Sequence, residues 1–246
     1  MTKVRGLRPR VRGADVAGRL RCRRALPSIP ILILLLAAAT RTAPAAGTGT
    51  HDDPIVDSDM TREEAVLRGV SPKAPAAVLE RQAVVDVRYR GFDGRIHRGQ
   101  IVVDRSLVGE VREAFRKALR AGFPIHSVIP VSHPRFRWSD ERSMAANNTS
   151  GFNYRRVTGG ERLSRHALGT AVDVNPIQNP YIRGGTVLPP GARYDPHRPG
   201  TLTEEGPVVR AFLRFGWTWG GHWKTLKDYQ HFQAPPRTGG GSGRTE

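Results

Sequence analysis

The sequence predicts an α+β fold: a single domain with a small, mainly antiparallel sheet and helices packed against it. Two β-rich runs, 83–89 and 96–103, flank a Gly-Phe-Asp-Gly turn at 91–94, which is typical of a hairpin. Apolar residues then recur at helical spacing from 107 to 118. A further apolar run, 125–131, is a candidate buried strand. These elements can bury a core in a domain of about 160 residues.

The elements that follow have clear stop signals. Gly122 comes directly after the helical pattern and is expected to end that helix. The stretch 176–201 is rich in proline and glycine, and we expect it to form a loop that could wall a cleft. Thr203 is predicted to cap a second helix, whose inward residues are Val208, Val209, Phe212 and Leu213 and which ends before Gly216.

By composition, the 246 residues divide into four segments. Residues 1–45 resemble a targeting segment, and 46–80 are predicted to be a linker with a partly ordered lead-in. Within that lead-in, Thr61 followed by Glu63 and Glu64 predicts a short capped helix. The globular domain is expected over 81–236, and a glycine-rich, disordered tail over 237–246.

The first segment has the features of an export signal. Nine basic residues precede an uncharged run, 25–40, whose stretch 31–39 is apolar throughout. This is short for a membrane span, which needs about 20 residues, but it fits the apolar region of a signal peptide. Small residues at Ala43 and Ala45 predict cleavage after Ala45, and an uncleaved membrane anchor is the alternative. Either a cleaved signal peptide or an uncleaved anchor would place the domain outside the cytoplasm. A cleaved signal peptide predicts a secreted or cell-wall protein, and an anchor predicts a protein held at the membrane by this segment alone.

The formal net charge of +17 falls unevenly along the chain. Ten of the 39 Lys and Arg residues and one of the 22 acidic residues precede residue 46, so the remainder carries +8. This charge is spread out and lacks the basic-aromatic array of nucleic-acid-binding proteins, so we expect no nucleic-acid partner. Attraction to an anionic polymer such as a bacterial cell wall is a better match. The only cysteine, Cys22, lies in the targeting segment, and we expect a monomeric domain without disulfides.

Two short stretches, near residues 170 and 230, are dense in metal-ligand chemistry. They supply two imidazoles and two carboxylates, the nitrogen and oxygen donors that suit zinc. A catalytic zinc site takes three protein ligands and keeps one position open. His166, Asp173 and His231 would form such a set, and Asp228 would remain to act as a base.

The local sequence is compatible with this set but does not require it. Gly169 and the small residues after it allow a tight backbone approach, and Asp173 lies in a run that resembles a buried strand. The alternating run 229–233 is a candidate strand that would direct His231 to the site and Phe232 to the core. Ordinary hydrogen-bonded histidines are the alternative, and spacing alone leaves both interpretations open.

Three motifs together resemble those of the M15 metallopeptidase family. They are Ser-x-His-x-x-Gly-x-Ala-x-Asp at 164–173, Trp-Gly-Gly-x-Trp at 219–223 and Asp-x-x-His-Phe at 228–232. The resemblance covers about residues 125 to 234. The family includes D-alanyl-D-alanine carboxypeptidases, dipeptidases of the vancomycin-resistance type and L-alanyl-D-glutamate endopeptidases. It implies an M15-like fold with a zinc site at the sheet and peptidoglycan stem peptides as substrates.

The resemblance also assigns roles to individual residues. It implies one zinc ion held by His166, Asp173 and His231, with Asp228 as the catalytic acid and base. A segment similar to Asn-Thr-Ser-x-Phe-Asn-x-Arg precedes the first zinc motif in the family, and its arginine lies in the site. Arg155 matches that arginine, where a fixed cation can stabilise an oxyanion; its neighbour Arg156 is the alternative.

Three further residues are candidate substrate contacts. Ser164 could donate a hydrogen bond to a substrate carbonyl or carboxylate, although a local turn role is equally compatible. Trp219 belongs to a tryptophan-rich stretch that either packs in the core or lines the cleft. His222 is expected to contact substrate and not to bind the metal.

Two features of the sequence give opposite indications of which bond is cut. Aspartate at position 228 favours the endopeptidase branch, whereas the arginine-rich domain with its own export signal favours a D-alanyl-D-alanine carboxypeptidase. The sequence analysis favours the carboxypeptidase. A non-catalytic wall-binding module is a further alternative, but such a module has no need of Asp228 or Arg155.

Overall fold

A computed structural model describes residues 47–157 and 159–236. The described residues all belong to one compact unit, in agreement with a single α+β domain. The predicted signal peptide or anchor, 1–45, and the predicted disordered tail, 237–246, lie outside the described residues. Within the part that is described, no helix combines the length and apolar character needed to cross a membrane.

Short strands and helices alternate along the described part of the chain. Its strands are β1 Ile55–Val56, β2 Gln82–Arg90, β3 Ile96–Asp104, β4 Ser127–Val128, β5 Asn148–Thr149, β6 Ala171–Asp173, β7 Tyr181–Arg183, β8 Thr186–Leu188, β9 Thr218–Trp219, β10 Lys227–Asp228 and β11 His231–Gln233. Its α-helices are α1 Ala76–Glu80, α2 Val108–Arg120, α3 Asp140–Ala145 and α4 Pro207–Leu213. One π-helical turn, Glu63–Leu67, and three 3-10 turns, Arg105–Leu107, Arg165–Leu168 and Gly220–His222, complete the secondary structure.

The predicted hairpin is confirmed as β2 and β3. Their antiparallel register runs from Gln82 opposite Asp104 to Arg90 opposite Ile96. The amide of Gly94 donates to the carbonyl of Gly91 at 3.0 Å, which closes the predicted turn. β1 adds to the outer side of β3 in parallel.

Helix α2 covers one face of this hairpin, as its apolar spacing predicts. Val111, Phe115 and Ala118 are buried in a cluster that also holds residues of β2, β3, α4, β6 and β11. Beyond the helix, Gly122 has a φ of +68°, and the amide of Phe123 donates to the Ala118 carbonyl at 2.9 Å. This is a left-handed helix end of the kind that favours glycine.

The sheet differs from the predicted single sheet. Within residues 47–157 and 159–236, the strands form four small sheets with the orders β1-β3-β2, β10-β7-β8, β6-β11-β9 and β4-β5. Among these strand pairs, only β1–β3 and β4–β5 are parallel. The predicted strand at 125–131 contains only the two residues of β4. Its ladder stops early because the Asn148 side chain replaces a backbone partner, accepting from the Ile129 amide at 3.0 Å and donating to its carbonyl at 2.8 Å.

The segment predicted to be a linker and lead-in, 46–80, packs closely on the domain. Ala65 and Val66 are buried against Val102 of β3 and Phe152. Thr61 forms the predicted capping interaction, because its hydroxyl accepts from the Glu64 amide at 3.3 Å. The segment is polar overall, but these few apolar side chains suffice to anchor it.

Helix α4 begins later than predicted. Pro207 occupies the start of the helix, where its fixed φ and missing N–H are tolerated. Thr203 instead accepts a hydrogen bond from the Gly206 amide at 2.8 Å, which forms a turn before the helix. Val208, Val209 and Phe212 are buried as predicted, and the predicted loop 176–201 contains the hairpin β7–β8.

Candidate metal centre

The antiparallel pairing of β6 and β11 brings two predicted ligands together. His231 lies directly opposite Asp173 in the register of these strands. The alternation of β11 directs the His231 side chain to Asp173, while Phe232 is fully buried in the core, as the sequence predicts. The third predicted ligand, His166, comes from the 3-10 turn before β6.

Three donor atoms converge at this place. The Nε2 atom of His166 lies 3.1 Å from Oδ2 of Asp173 and 3.2 Å from Nδ1 of His231. That Nδ1 atom lies 2.9 Å from Oδ1 of Asp173. Ligand atoms about 2.0–2.1 Å from a tetrahedral zinc ion are about 3.3 Å apart, so these separations fit a shared small cation. Among the described residues, this is the one group of three or more His, Cys and acidic side chains close enough to hold a metal.

The orientation of His166 leaves the required lone pair free. Its Nδ1 atom lies 2.6 Å from the carbonyl oxygen of Gly151, which can only accept a hydrogen bond. The proton of a neutral ring is therefore on Nδ1, and Nε2 presents its lone pair to the centre. A metal-binding histidine commonly has such a partner on its other nitrogen.

Close backbone packing holds the turn that carries His166. Gly169 ends this turn with a φ of +67°, and a Cβ atom there would lie 2.1 Å from Oε1 of Gln82. The amide of Asp104 also donates to the Gly169 carbonyl at 2.9 Å. The tight approach expected at this glycine is thus made against the ends of β2 and β3.

The centre is buried and electrostatically coupled. Burial alone would raise the pKa of Asp173, but the charges and hydrogen bonds of His166 and His231 hold it well below its usual value. For His231, burial lowers the pKa, yet the bond to Asp173 and the nearby acids raise it overall. An ionised Asp173 between two imidazoles suits a cation that replaces their protons.

Asp228, the predicted base, lies on the neighbouring strand β10, which pairs with β7. Burial, together with the charge of Asp173, raises the pKa of Asp228 to about 6, although His231 opposes the shift. Its Oδ1 atom is buried without a hydrogen-bond partner among the described residues. One oxygen of the Asp228 carboxylate is therefore left without a partner in this region and can accept a proton.

The structure separates the two candidate arginines. Arg155 is mostly buried, and its carbonyl accepts from the amide of Ser164, the cap of the turn that carries His166, at 3.0 Å. Its charge lowers the pKa of His231. Its Nη2 atom is 2.9 Å from Oδ2 of Asp140. Arg156 is exposed and forms an ion pair with Glu161. The geometry favours Arg155, and Asp140 is a neighbour that the sequence analysis did not single out.

Three predicted substrate contacts have different surroundings. The hydroxyl of Ser164 accepts from the His166 amide at 3.2 Å and so caps the turn; its contact with substrate stays a prediction. Trp219 is only 4% exposed, and its Nε1 donates to the Tyr229 carbonyl at 2.7 Å, so it packs in the core. His222 is exposed, contacts the Glu204 carboxylate and lies outside the metal-binding group.

Trp223 is an aromatic neighbour of the centre that the sequence analysis did not select. Its ring lies 5.5 Å from that of His231, measured between centroids, and the residue is partly exposed. The motif Trp-Gly-Gly-x-Trp contains both Trp219 and Trp223, and nothing in their spacing distinguishes the core residue from the one beside the site. The contact expected of Trp219 is better suited to Trp223.

Comparison with known proteins gives one match. Residues 158–234 match the family model Peptidase_M15_4, described as D-alanyl-D-alanine carboxypeptidase. No curated protein and no solved structure matches the chain. The matched range contains His166, Asp173, Asp228 and His231, whereas Arg155 lies just before it. The segment that carries the candidate metal centre is therefore similar to the M15 peptidases.

Proposed function

We propose that the protein is an exported, zinc-dependent peptidase that hydrolyses peptidoglycan stem peptides, acting as a D-alanyl-D-alanine carboxypeptidase. One observation carries this proposal. Three buried side chains converge, with neighbouring donor atoms of His166, Asp173 and His231 2.9–3.2 Å apart, in a segment that matches an M15 carboxypeptidase model. The described fold supplies a small sheet to hold them.

One zinc ion is the proposed cofactor. His166, Asp173 and His231 would hold it, because two imidazole nitrogens and one carboxylate oxygen form a typical catalytic zinc set. When bound, zinc supplies a Lewis acid that activates water and polarises a carbonyl group.

Asp228 is the proposed general base and acid. Its buried Oδ1 atom is free to accept a proton from the attacking water, and the same carboxyl group can then protonate the leaving amine. Burial raises the pKa of Asp228 to about 6, which brings it closer to neutral pH than an exposed aspartate. A base with a pKa near the working pH transfers protons in both directions most effectively.

Arg155 is the proposed oxyanion-stabilising residue. Its guanidinium is already ordered by Asp140, so little reorganisation is needed when negative charge develops on the attacked carbonyl. Its Nε atom is buried without a partner among the described residues and remains available as a donor.

The bond to be cut can be tested with two peptides. A pentapeptide stem ending in D-Ala-D-Ala should lose its terminal D-Ala, and the same peptide amidated at its C-terminus should not. The reason is that a carboxypeptidase must recognise the free carboxylate, which is a charge-assisted interaction. Mass spectrometry of the products separates these outcomes.

Other products would support other functions. Release of L-Ala from either peptide would identify an L-alanyl-D-glutamate endopeptidase, the alternative that Asp228 favours by resemblance. Binding of wall fragments by zinc-loaded protein without any cleavage would instead indicate a wall-binding module.

Export is proposed from the sequence of residues 1–45. N-terminal sequencing of protein recovered from the culture medium and from membranes tests it. A mature N-terminus at residue 46 in the medium supports a cleaved signal peptide, and an intact chain in membranes supports an anchor. Recovery of the protein from the cytoplasm alone would contradict both.

A further inference from the structure

Helix α3 presents one face to the metal centre. Asp140 and Met144 are four residues apart and lie on the same side of the helix. Asp140 pairs with Arg155, and Met144 accepts a hydrogen bond on sulfur from Nε2 of Gln230 at 3.6 Å. Gln230 directly precedes the predicted ligand His231, so α3 contacts both Arg155 and the residue next to a predicted ligand.

Hydrogen bonds at both of its ends hold α3 in place. The hydroxyl of Ser139 caps the helix by accepting from the Arg142 amide at 3.2 Å. Near the other end, Nδ2 of Asn148 donates to the hydroxyl of Ser143 at 3.0 Å. A side chain on such an element is held more precisely than one on a loop.

Arg155 depends on this helix for its orientation. Nη2 lies 2.9 Å from Oδ2 of Asp140 in an ion pair, Nη1 donates to the adjacent Arg156 carbonyl at 3.1 Å, and Nε has no hydrogen-bond partner in the described region. Asp140 is therefore the contact that ties the guanidinium to a separate element. Asn153 supports the pair, with its Nδ2 atom 3.5 Å from Oδ1 of Asp140.

We propose that Asp140 is a positioning residue that holds the Arg155 guanidinium beside the metal centre for catalysis. This inference rests on the proposed peptidase function. The pair is largely screened from solvent, with side-chain exposures of 24% for Arg155 and 21% for Asp140. Removal of the aspartate charge would free the guanidinium to leave the place where the oxyanion develops.

The kinetic test compares Asp140→Asn with Glu141→Gln. Both remove one negative charge from the first turn of α3, but Glu141 is exposed on another side of the helix. Asp140→Asn should lower kcat about 10- to 100-fold on the pentapeptide with a smaller change in KM, whereas Glu141→Gln should resemble the wild type. Metal content and Tm should stay close to the wild-type values in both variants.

A double-mutant cycle shows whether Asp140 acts through Arg155. In an Arg155→Ala background, Asp140→Asn should change kcat by no more than about twofold, because the group it positions is already gone. A full-sized additional loss in that background would contradict the proposal. So would an Asp140→Asn variant as active as Glu141→Gln.

A spectroscopic measurement tests the same contact without turnover. The Arg155 Nε–H resonance can be assigned by its loss in Arg155→Ala, and it should exchange slowly with water in the wild type. Asp140→Asn should shift the resonance and accelerate its exchange, and Glu141→Gln should not. An unchanged resonance in Asp140→Asn overturns the positioning role. If the wild type cleaves no peptide, the proposed function fails, while this measurement still decides the role of Asp140.

Discussion

Asp173 and Asp228 belong to the same centre, yet their surroundings act on them in opposite directions. Burial would raise the pKa of Asp173, but two histidines hold it low, so this residue is ionised and suited to bind a cation. Burial raises the pKa of Asp228 to about 6 and leaves one oxygen without a partner in the described region. Carboxyl groups whose pKa values are separated in this way commonly divide binding and proton transfer between them.

Substitution of the predicted ligands and of the base should have separable effects. His166→Ala and His231→Ala should each remove most of the bound zinc, because two protein ligands hold the metal weakly. Asp228→Ala should retain zinc and lower kcat by about 100-fold or more. Metal analysis of dialysed protein and peptide hydrolysis are the two measurements.

His222→Ala is the control for this series. His222 lies close in sequence but contacts Glu204 and not the centre, so its loss should leave the zinc content unchanged. Zinc loss as complete as in His231→Ala would contradict the ligand set. Normal turnover in Asp228→Ala would contradict the base assignment.

The pH dependence of the reaction follows from the same carboxyl group. A base must be deprotonated to act, and the pKa of Asp228 is raised to about 6. As the pH falls through this value, kcat/KM should decrease tenfold per pH unit. A bound cation favours the ionised form of Asp228, so it can only move this acidic limb of the kcat/KM profile to lower pH. A limb well above pH 7 would indicate that another group titrates.

Metal-free protein should be stabilised by Asp228→Asn at neutral pH. The pKa of Asp228 is higher in the folded state than in the unfolded chain, so ionisation costs stability as the pH rises from about 4 to 6, and the full cost persists above 6. The asparagine variant avoids this cost, and its unfolding free energy should be about 1–2 kcal/mol higher at pH 7.5. Urea denaturation at pH 7.5 and at pH 3.5 checks this, since the gain should vanish at the lower pH.

At the scale of elements, the centre is formed by one turn and two short strands, and contacts with the long hairpin hold the turn in place. The 3-10 turn that carries His166 ends at Gly169, which packs against Gln82 and Asp104 at the ends of the long hairpin. Strands β6 and β11 are only three residues each, so their pairing alone holds little. The position of His166 therefore depends on contacts with β2 and β3.

Gly169→Ala should be more destabilising than Gly122→Ala. The two glycines have nearly equal φ angles of +67° and +68°, so both substitutions cost about 1–2 kcal/mol of backbone strain. Only Gly169→Ala adds a clash, with the Gln82 side chain and with the backbone nitrogen of Asp104, which would lie 2.7 Å from the new Cβ; the space around Gly122 is open. We expect a further loss of about 1–3 kcal/mol and weaker zinc binding in Gly169→Ala. Equal unfolding free energies for the two variants would contradict this view of the turn.

At the scale of the whole molecule, the segment before the long hairpin is part of the fold. β1 pairs with β3, and Asp57, directly after β1, contacts both the Tyr89 hydroxyl and Nδ1 of His97. Val66 is fully buried in a second cluster. A domain boundary at residue 81 would break all of these contacts.

A protein that begins at residue 81 should thus be less stable than one that begins at residue 47. The loss of the buried Val66 side chain alone costs about 1.5–3 kcal/mol, and the unpaired edge of β3 adds to this. Urea denaturation should show a lower midpoint and a smaller m-value for the shorter protein, because less surface is buried. Identical unfolding curves would show that 47–80 contributes nothing to the domain.

Much of this organisation follows from local sequence. The hairpin β2–β3, helix α2 and its glycine stop were predictable because alternation, helical spacing and turn residues act between near neighbours. The β11 alternation also separated His231, directed to the centre, from Phe232 in the core. The motif resemblance, now supported by the match over 158–234, named the candidate metal ligands and base.

Other features depend on contacts between residues far apart in the chain. The short length of β4 follows from the side chain of Asn148, and the contrast between the mostly buried Arg155 and the exposed Arg156 arises from packing that their positions in the sequence do not reveal. Which tryptophan lies beside the centre was equally undetermined by spacing.

What the sequence by itself determined was therefore the set of chemical groups and the local elements that carry them, because each is encoded within a few residues. Only the tertiary structure decided which groups meet, which are buried and which remain unpartnered. Those properties depend on how α3 and the long hairpin pack against the segments that carry the centre, and packing depends on side chains that no local pattern brings together.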